Sequence, residues 1–309
     1  MRLGLDVGGT KTDAVAVGEA DEILARVRTA TGWGPDAVVD TVVQAVHSLL
    51  SEGRFTLEKV ASIGIGIPGQ VDAATGRVTH AVNLGVAELD LAGAVRRALG
   101  AEVRVENDVK AAAVGAARAL GAVETTAFLN LGTGIAAGVV TDRGLWRGAR
   151  GAAGEIGHLS VDPAGPTCRC GQSGCIEALA GGGAVAQRWG RPGALPIRDI
   201  FDAADAGNSD ARELRVGIAR GVAAAVRVLV LTADVETVVL GGGISALGER
   251  LRGDVVAELE RSAAASAFLS SLDLAARVQL LAPGVPAAAL GAAIIGAAPM
   301  EEREVLTHG

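Results

Sequence analysis

Residues 2–17 read R-L-G-L-D-V-G-G-T-K-T-D-A-V-A-V. An apolar run, Arg2–Val7, meets the turn Gly8-Gly9-Thr10, and a second run, Thr12–Val17, returns from it. With Ile23–Thr29 as a third strand, this is a hairpin-and-meander opening and not a β-α-β unit. The pattern recurs further along: strand Thr126–Leu131, turn Gly132-Thr133-Gly134, returning strand Ile135–Thr141. Two such openings predict two related α/β domains facing each other.

Between the openings, Val38, Val39, Val42, Val43, Val46 and Leu49 carry helical spacing over Pro35–Leu50. Val60–Ile67 is an apolar strand ending at Pro68-Gly69, Leu91–Leu99 a helix, Glu102–Val105 a strand, and Asp108–Leu120 an Ala-rich helix. The pattern divides into a first domain over residues 1–118 and a larger one over 119–292. In the second, helices are predicted at Leu195–Ala206, Ala211–Thr232 and Val255–Ala265, and strands at Thr237–Leu240 and Val278–Leu281. Ala287–Ala297 closes the series as a helix, and the C-terminal segment from about 293 to 309 is expected to pack back on the first domain. Pro299–Gly309 reads as polar and loosely held.

At 309 residues and 50% hydrophobic, the chain has material for two cores. A net charge of −7 and the lack of a basic stretch leave no electrostatic footprint for nucleic acid. No uncharged apolar run of about 18 residues supports a membrane span. The most apolar segment, Val222–Val239, is interrupted by Arg227, Asp234 and Glu236. The N-terminus enters a strand at once, which argues against a targeting segment, and cytoplasm is the expected compartment.

All three cysteines fall in one C-x-C-x4-C cluster, Cys168, Cys170 and Cys175, with His158 upstream. One His and three Cys make a complete tetrahedral zinc set with no position left for water, so a zinc here is structural. The alternatives are a disulfide pair with a spare thiol, or a redox motif. An odd cysteine count and the lack of C-x-x-C count against both. Glu155 and Glu177 bracket the cluster over a loop of residues 155–177.

Four other segments carry candidate chemistry. In Asp6-Val7-Gly8-Gly9-Thr10-Lys11-Thr12 the glycines let backbone N–H groups approach an anion, while Asp6 could hold Mg²⁺ through water. Gly132, Thr133 and Gly134 form the matching turn, and two such turns can clamp a polyphosphate. Gly242 and Gly243 precede a helix carrying Ser245, where the helix dipole would favour a nucleotide phosphate. Asp108 stands where a strand becomes a helix, as a general base beside Asn107 or simply as the helix cap.

These segments, in this order, resemble the ROK family of sugar kinases and repressors. D-V-G-G-T-K at Asp6–Lys11, G-I-P-G at Gly66–Gly69, E-N-D at Glu106–Asp108, L-G-T-G at Leu131–Gly134 and the run Gly154–Glu177 carry the resemblance. It implies an actin-like (ribonuclease H-like) two-domain ATPase fold with an interdomain cleft, a homodimer or homotetramer, and ATP and Mg²⁺ beside the zinc. By position, Asp108 would be the general base. Gly69, Asn83, Asn107, Glu155, His158 and Glu177 would bind a sugar, with His158 offering one ring nitrogen to zinc and the other to the substrate. The implied reaction is transfer of the ATP γ-phosphate to a hexose hydroxyl, O6 of glucose first, with N-acetylglucosamine, N-acetylmannosamine, mannose and fructose behind.

Three positions depart from the family pattern. Val82 and Val86 stand where its hexose kinases often carry Pro and Trp around the sugar-loop Asn. Lys110 stands two residues after the base where Asn is usual, and its place on a helix start directs it to solvent. Ala136-Ala137 replaces a glycine pair after the second turn. A sugar-sensing repressor of the family would need a DNA-reading helix-turn-helix ahead of Asp6, and only five residues precede it. A binding protein that has lost catalysis is disfavoured by the presence of Asp108. Polyphosphate in place of ATP is left open.

Overall fold

The computed structural model describes residues 1–297. They form two compact units, one of Met1–Asp108 together with the chain from Ala289 on, the other of Val109–Ala288.

The first unit opens on β1 (Arg2–Val7), β2 (Lys11–Val17), β3 (Ile23–Ala30) and α1 (Pro35–Gly53). It continues with β4 (Ser62–Ile67), β5 (Gln70–Asp72), β6 (Arg77–Ala81), β7 (Val86–Asp90), α2 (Leu91–Leu99) and β8 (Val103–Asn107). Five strands form one sheet in the order β3-β2-β1-β4-β8. The β1–β2 hairpin is antiparallel, while β1, β4 and β8 run parallel. Parallel neighbours need crossovers, which α1 and α2 provide. Helix α1 starts at a proline, where the missing N–H costs nothing, and buries Val38, Val42, Ala45, Val46 and Leu49 on one face.

On β1 and β4 the buried Leu3, Leu5, Ile63, Ile65 and Ile67 alternate with Gly4 and Gly64. The glycines make room for the last helix. A Cβ on Gly64 would lie 1.7 Å from the Ala292 carbonyl oxygen, and one on Gly4 1.9 Å from that of Ala289. Backbone therefore packs on backbone, and Val15 and Val17 close the same layer against Ala289, Leu290 and Ala293.

The second unit holds α3 (which starts at Asp108 and runs to Leu120), β9 (Thr126–Leu131), β10 (Ile135–Thr141), β11 (Gly144–Leu145), α4 (Ile176–Ala180) and α5 (Gly182–Trp189). Then come α6 (Pro196–Asp205), α7 (Ser209–Ala233), β12 (Thr237–Gly241), α8 (Glu249–Ala263), α9 (Ala267–Ser271), β13 (Val278–Leu280) and α10 (Ala287–Ala297), whose C-terminal part joins the first unit. Its sheet runs β11-β10-β9-β12-β13, with β9–β10 antiparallel and β9, β12 and β13 parallel. Counted along the chain, both sheets have the order third-second-first-fourth-fifth, so the repeat expected from the two openings extends to whole sheets.

Helix α7 has the length and apolarity of a membrane span, but Ile218, Val222, Ala225, Val226 and Leu229 are buried in this unit's own core.

The division between units falls at Asp108, ahead of the expected boundary near 118. The cause is α3 itself: Val109, Ala112, Ala113 and Ala116 pack on Phe128 and Val239, which belong to the second sheet. Helix α8 begins at Glu249, ahead of the Val255 at which the sequence pattern placed its start. The small sheet β5-β6-β7, over residues 70–90, has no counterpart in the sequence expectations. The expectation for Pro299–Gly309 lies outside the described residues.

Candidate functional site

In the first unit the candidate residues gather at the C-terminal ends of parallel strands, where α/β sheets commonly bind ligands. Asp6 on β1 is level with Gly66 on β4, and Gly66 with Glu106 on β8. Asp108 comes next, at the first position of α3, where the helix dipole favours a carboxylate. Burial pushes the Asp6 carboxyl up to about 7, and the charge of Asp108 adds to the push, with Asp13 after it. Arg28 pulls weakly the other way. The two acids thus sense each other, which is the arrangement a cation would relieve. Burial would also raise Asp13, but hydrogen bonds from Arg26 and Arg28 outweigh it and hold that carboxyl low.

The Gly8–Thr10 turn is closed by the Gly8 N–H donating to the Lys11 carbonyl at 2.9 Å. Gly9, Thr10 and Lys11 are exposed. Thr12 is not: its hydroxyl is fully buried against that of Thr31 at 2.9 Å, so the structure turns it away from the surface of the turn. Asn83 sits on a short 3-10 turn between β6 and β7, beside Gly9, whose added Cβ would lie 3.1 Å from the Asn83 carbonyl oxygen. Asn107 donates from Nδ2 to the Gly69 carbonyl at 3.3 Å. Asp6, Gly9, Asn83, Gly69, Asn107 and Asp108 are thereby linked through one sheet edge.

Of the two valines around Asn83, Val86 is buried and Val82 is 76% exposed. Of the two, Val82 alone is at the surface. Sequence reasoning missed Trp33. Its indole packs over Gly85, close enough that a Cβ there would be 2.6 Å from Cε2, yet it is 70% exposed. The Gly34 N–H also donates to the Leu84 carbonyl at 2.8 Å, tying the Trp33 segment to the Asn83 turn. The available signal was a tryptophan flanked by glycines, Gly32-Trp33-Gly34, in a chain with three tryptophans.

In the second unit the Gly132–Gly134 turn lies between β9 and β10, and Gly242 comes just after β12, next to the end of β9. An added Cβ on Gly242 would fall 2.6 Å from Asn130 Oδ1. Gly242 leads into a 3-10 turn, Gly243–Leu247, and not into the start of an α-helix. The dipole expected at Gly242 and Gly243 therefore belongs to α8, beyond Gly248.

The cysteine loop is drawn together. Nδ1 of His158 stands 3.9 Å from Cys168 Sγ, and Cys170 Sγ stands 3.6 Å from Cys175 Sγ. A tetrahedron with metal–sulfur bonds of ~2.3 Å has edges of about 3.8 Å, so the donor set fits a zinc-sized ion. His158, Cys168 and Cys170 lie mutually within 4.8 Å, while Cys175 Sγ is turned to the His158 carbonyl at 3.5 Å. Burial pushes the Cys175 thiol up to about 12, and hydrogen bonds from Gln172 pull Cys170 down to about 6.

Glu155 is exposed and immediately precedes the turn bearing His158. Glu177, on α4, is buried; its Oε2 accepts the Ile135 N–H at 3.0 Å, and Oε1 lies 3.5 Å from Arg169. Lys110 departs from expectation. It is buried, and its ammonium donates to the Gly151 carbonyl, a few residues before Glu155. A long flexible stem lets the charge travel to a carbonyl that a shorter residue would leave unmet.

Residues 2–298 match the ROK family, and the chain belongs to it. Its fold is the actin-like, ribonuclease H-like two-domain fold of that family. The chain is similar to a ROK hexokinase from Thermus thermophilus, at 32% identity and a TM-score of 0.81, covering 96% of this chain and 97% of that one. It is also similar to a ROK family glucokinase from Streptomyces griseus in complex with glucose and AMPPNP, at 29% identity and a TM-score of 0.77, covering 96% and 98%. An N-acetylmannosamine kinase from Yersinia pseudotuberculosis is 31% identical over 277 residues, 87% of this chain and 89% of the relative.

Proposed function

We propose that this protein is a sugar kinase that transfers the γ-phosphate of ATP to a hexose hydroxyl, with O6 of glucose as the first candidate. The observation that carries it is the placement of Asp108 beside Asn107 at the end of β8, at the strand ends that also hold Asp6 and the glycine turn. Similarity to a hexokinase and to a glucokinase bound to glucose and AMPPNP supports the sugar and the donor. Similarity to an N-acetylmannosamine kinase keeps N-acetylhexosamines in play.

Asp108 would accept the proton of the attacking hydroxyl as its oxygen meets the γ-phosphorus in line, while Asn107 and Asn83 orient the ring. The backbone N–H groups of Gly9 and Thr10 in the first turn, and of Thr133 and Gly134 in the second, would hold phosphate oxygens, with Gly242 and Gly243 beside the nucleotide. Asp6 would hold Mg²⁺ through water, and that ion, when bound, neutralises charge on the phosphates. His158, Cys168, Cys170 and Cys175 would hold a structural zinc. With Nδ1 of His158 toward the cysteines, a metal held there would leave the ring proton on Nε2, to donate to a hydroxyl. Glu155 and Glu177 would complete the sugar contacts.

The test is ADP release by the purified protein with ATP and Mg²⁺ across glucose, N-acetylglucosamine, N-acetylmannosamine, mannose and fructose. Turnover on one or more is expected and ranks them; no turnover on any of the five overturns the proposal.

A further inference from the structure

Helix α4 has five residues, Ile176–Ala180. A helix of barely more than one turn has no stability of its own, because nucleation costs more than its few hydrogen bonds return. Its ends must be held by something else. At the N-terminal end the cap residue is Cys175, whose Sγ belongs to the cysteine cluster, and the Ile176 N–H donates to the Leu159 carbonyl at 3.0 Å. At the C-terminal end the chain runs straight into Gly181-Gly182-Gly183. There the Gly182 N–H donates to the Gly132 carbonyl and the Gly183 N–H to the Thr133 carbonyl, both at 2.9 Å.

From the middle of the helix, Glu177 reaches the far side of the same turn, accepting the Ile135 N–H at 3.0 Å. Three hydrogen bonds thus engage Gly132 and Thr133 of the turn and Ile135, the first residue of β10, leaving Gly134 between them. Gly134 is held by proximity: a Cβ there would lie 2.5 Å from Glu177 Oε2, and one on Gly182 would lie 2.9 Å from the Gly132 oxygen. Within the glycine run, Gly182 makes the close backbone-on-backbone approach.

We infer that α4 is a strut joining the cysteine cluster to the Gly132–Gly134 turn, so that occupancy of the cluster by its metal sets the affinity for nucleotide, with Glu177 as a positioning residue for the turn. The inference rests on the function proposed above. It gives Glu177 a second task beside the sugar, for which a carboxylate has lone pairs enough. The buried Ile176 and Ala180 also hold α4, and Ala180 meets α7 at Gly221, so loss of the metal loosens the strut and does not release it.

The experiment is calorimetric titration with AMPPNP and Mg²⁺, without sugar, of the metal-loaded protein, of the chelator-stripped protein and of Gly182→Ala. Metal content and far-ultraviolet circular dichroism are measured on each. Stripping is expected to weaken nucleotide binding about tenfold, the scale of one hydrogen bond to a charged acceptor. Gly182→Ala should lose about as much while keeping its metal. Equal nucleotide affinity in loaded and stripped protein overturns the coupling and leaves the kinase proposal standing. A loaded protein that binds no nucleotide overturns both. If stripping unfolds the chain, Gly182→Ala decides: unchanged affinity overturns the strut, and weaker affinity with full metal content supports it.

Discussion

The ammonium of Lys110 is bonded to the carbonyl oxygen of Gly151, across 41 residues of sequence. A buried cation on the first turn of α3 thereby anchors the loop that leads into Glu155 and His158. Replacement by Met keeps most of the stem but leaves the carbonyl unmet, at a cost of about 1–3 kcal/mol. Lys110→Met is expected to lower the melting temperature and to raise the sugar KM about fivefold, with kcat changed less. Steady-state kinetics beside thermal denaturation check this; an unchanged sugar KM would detach Lys110 from the substrate loop.

Asp108→Ala is expected to lower kcat by about 10²–10⁴ while leaving sugar affinity nearly intact, as loss of a general base should. Rates come from ADP release and affinity from equilibrium titration. Equal kcat in mutant and wild type would remove Asp108 from the chemistry and leave it as an acidic residue in the first turn of α3.

Asp6 makes stability depend on pH in an unusual direction for a carboxylate. In the folded chain its pKa is about 7, against an ordinary value of 3.8, so the folded state binds more protons between those limits. Its contribution is therefore fully present below 3.8 and is lost as pH rises to about 7. The melting temperature of Asp6→Asn, with wild type subtracted, should rise across that window and level off above it. Added Mg²⁺, which favours the carboxylate, should shift the wild-type transition to lower pH. A flat difference curve would place the Asp6 pKa near its ordinary value.

Gly64→Ala pushes a methyl group to 1.7 Å from the Ala292 oxygen, and backbone cannot yield as a flexible side chain does. The expected loss is about 3 kcal/mol, the upper range for overpacking. Gly100→Ala, at φ 66° but with nothing within 4 Å, should cost about 1 kcal/mol from backbone strain alone. Chemical denaturation of both variants separates crowding from strain; equal losses would contradict the close approach.

The elements that sequence displayed best are those with one strong rule. The two hairpin openings announce themselves by apolar runs broken at glycine-threonine turns, and they gave strands that the structure reproduces almost residue for residue. The strands β5, β6 and β7 are short, and His80 drops out of the β6–β7 register at φ 56°, so no run was long enough for a period to reveal them. The allegiance of α3 depended on which sheet its alanines meet, a tertiary fact that a helical stripe cannot encode. At the candidate site, Asp108, the turns and the cysteine cluster were visible as motifs. The burial of Lys110, the inward Thr12 hydroxyl and the placement of Trp33 over Gly85 were not, because each depends on a partner distant in sequence or held by backbone alone.

Helix α10 supplies a layer of the first unit from the far end of the chain. During synthesis, Gly4 and Gly64 leave the ribosome long before Ala289 and Ala292, the residues whose backbones fill the space they keep open. The second unit, Val109–Ala288, is therefore complete while the first still lacks a wall. The unit that is begun first is finished last. A message cut short just before Ala289 would yield a chain with one whole unit and one sheet bare on one face, exposing Val15 and Val17 to water.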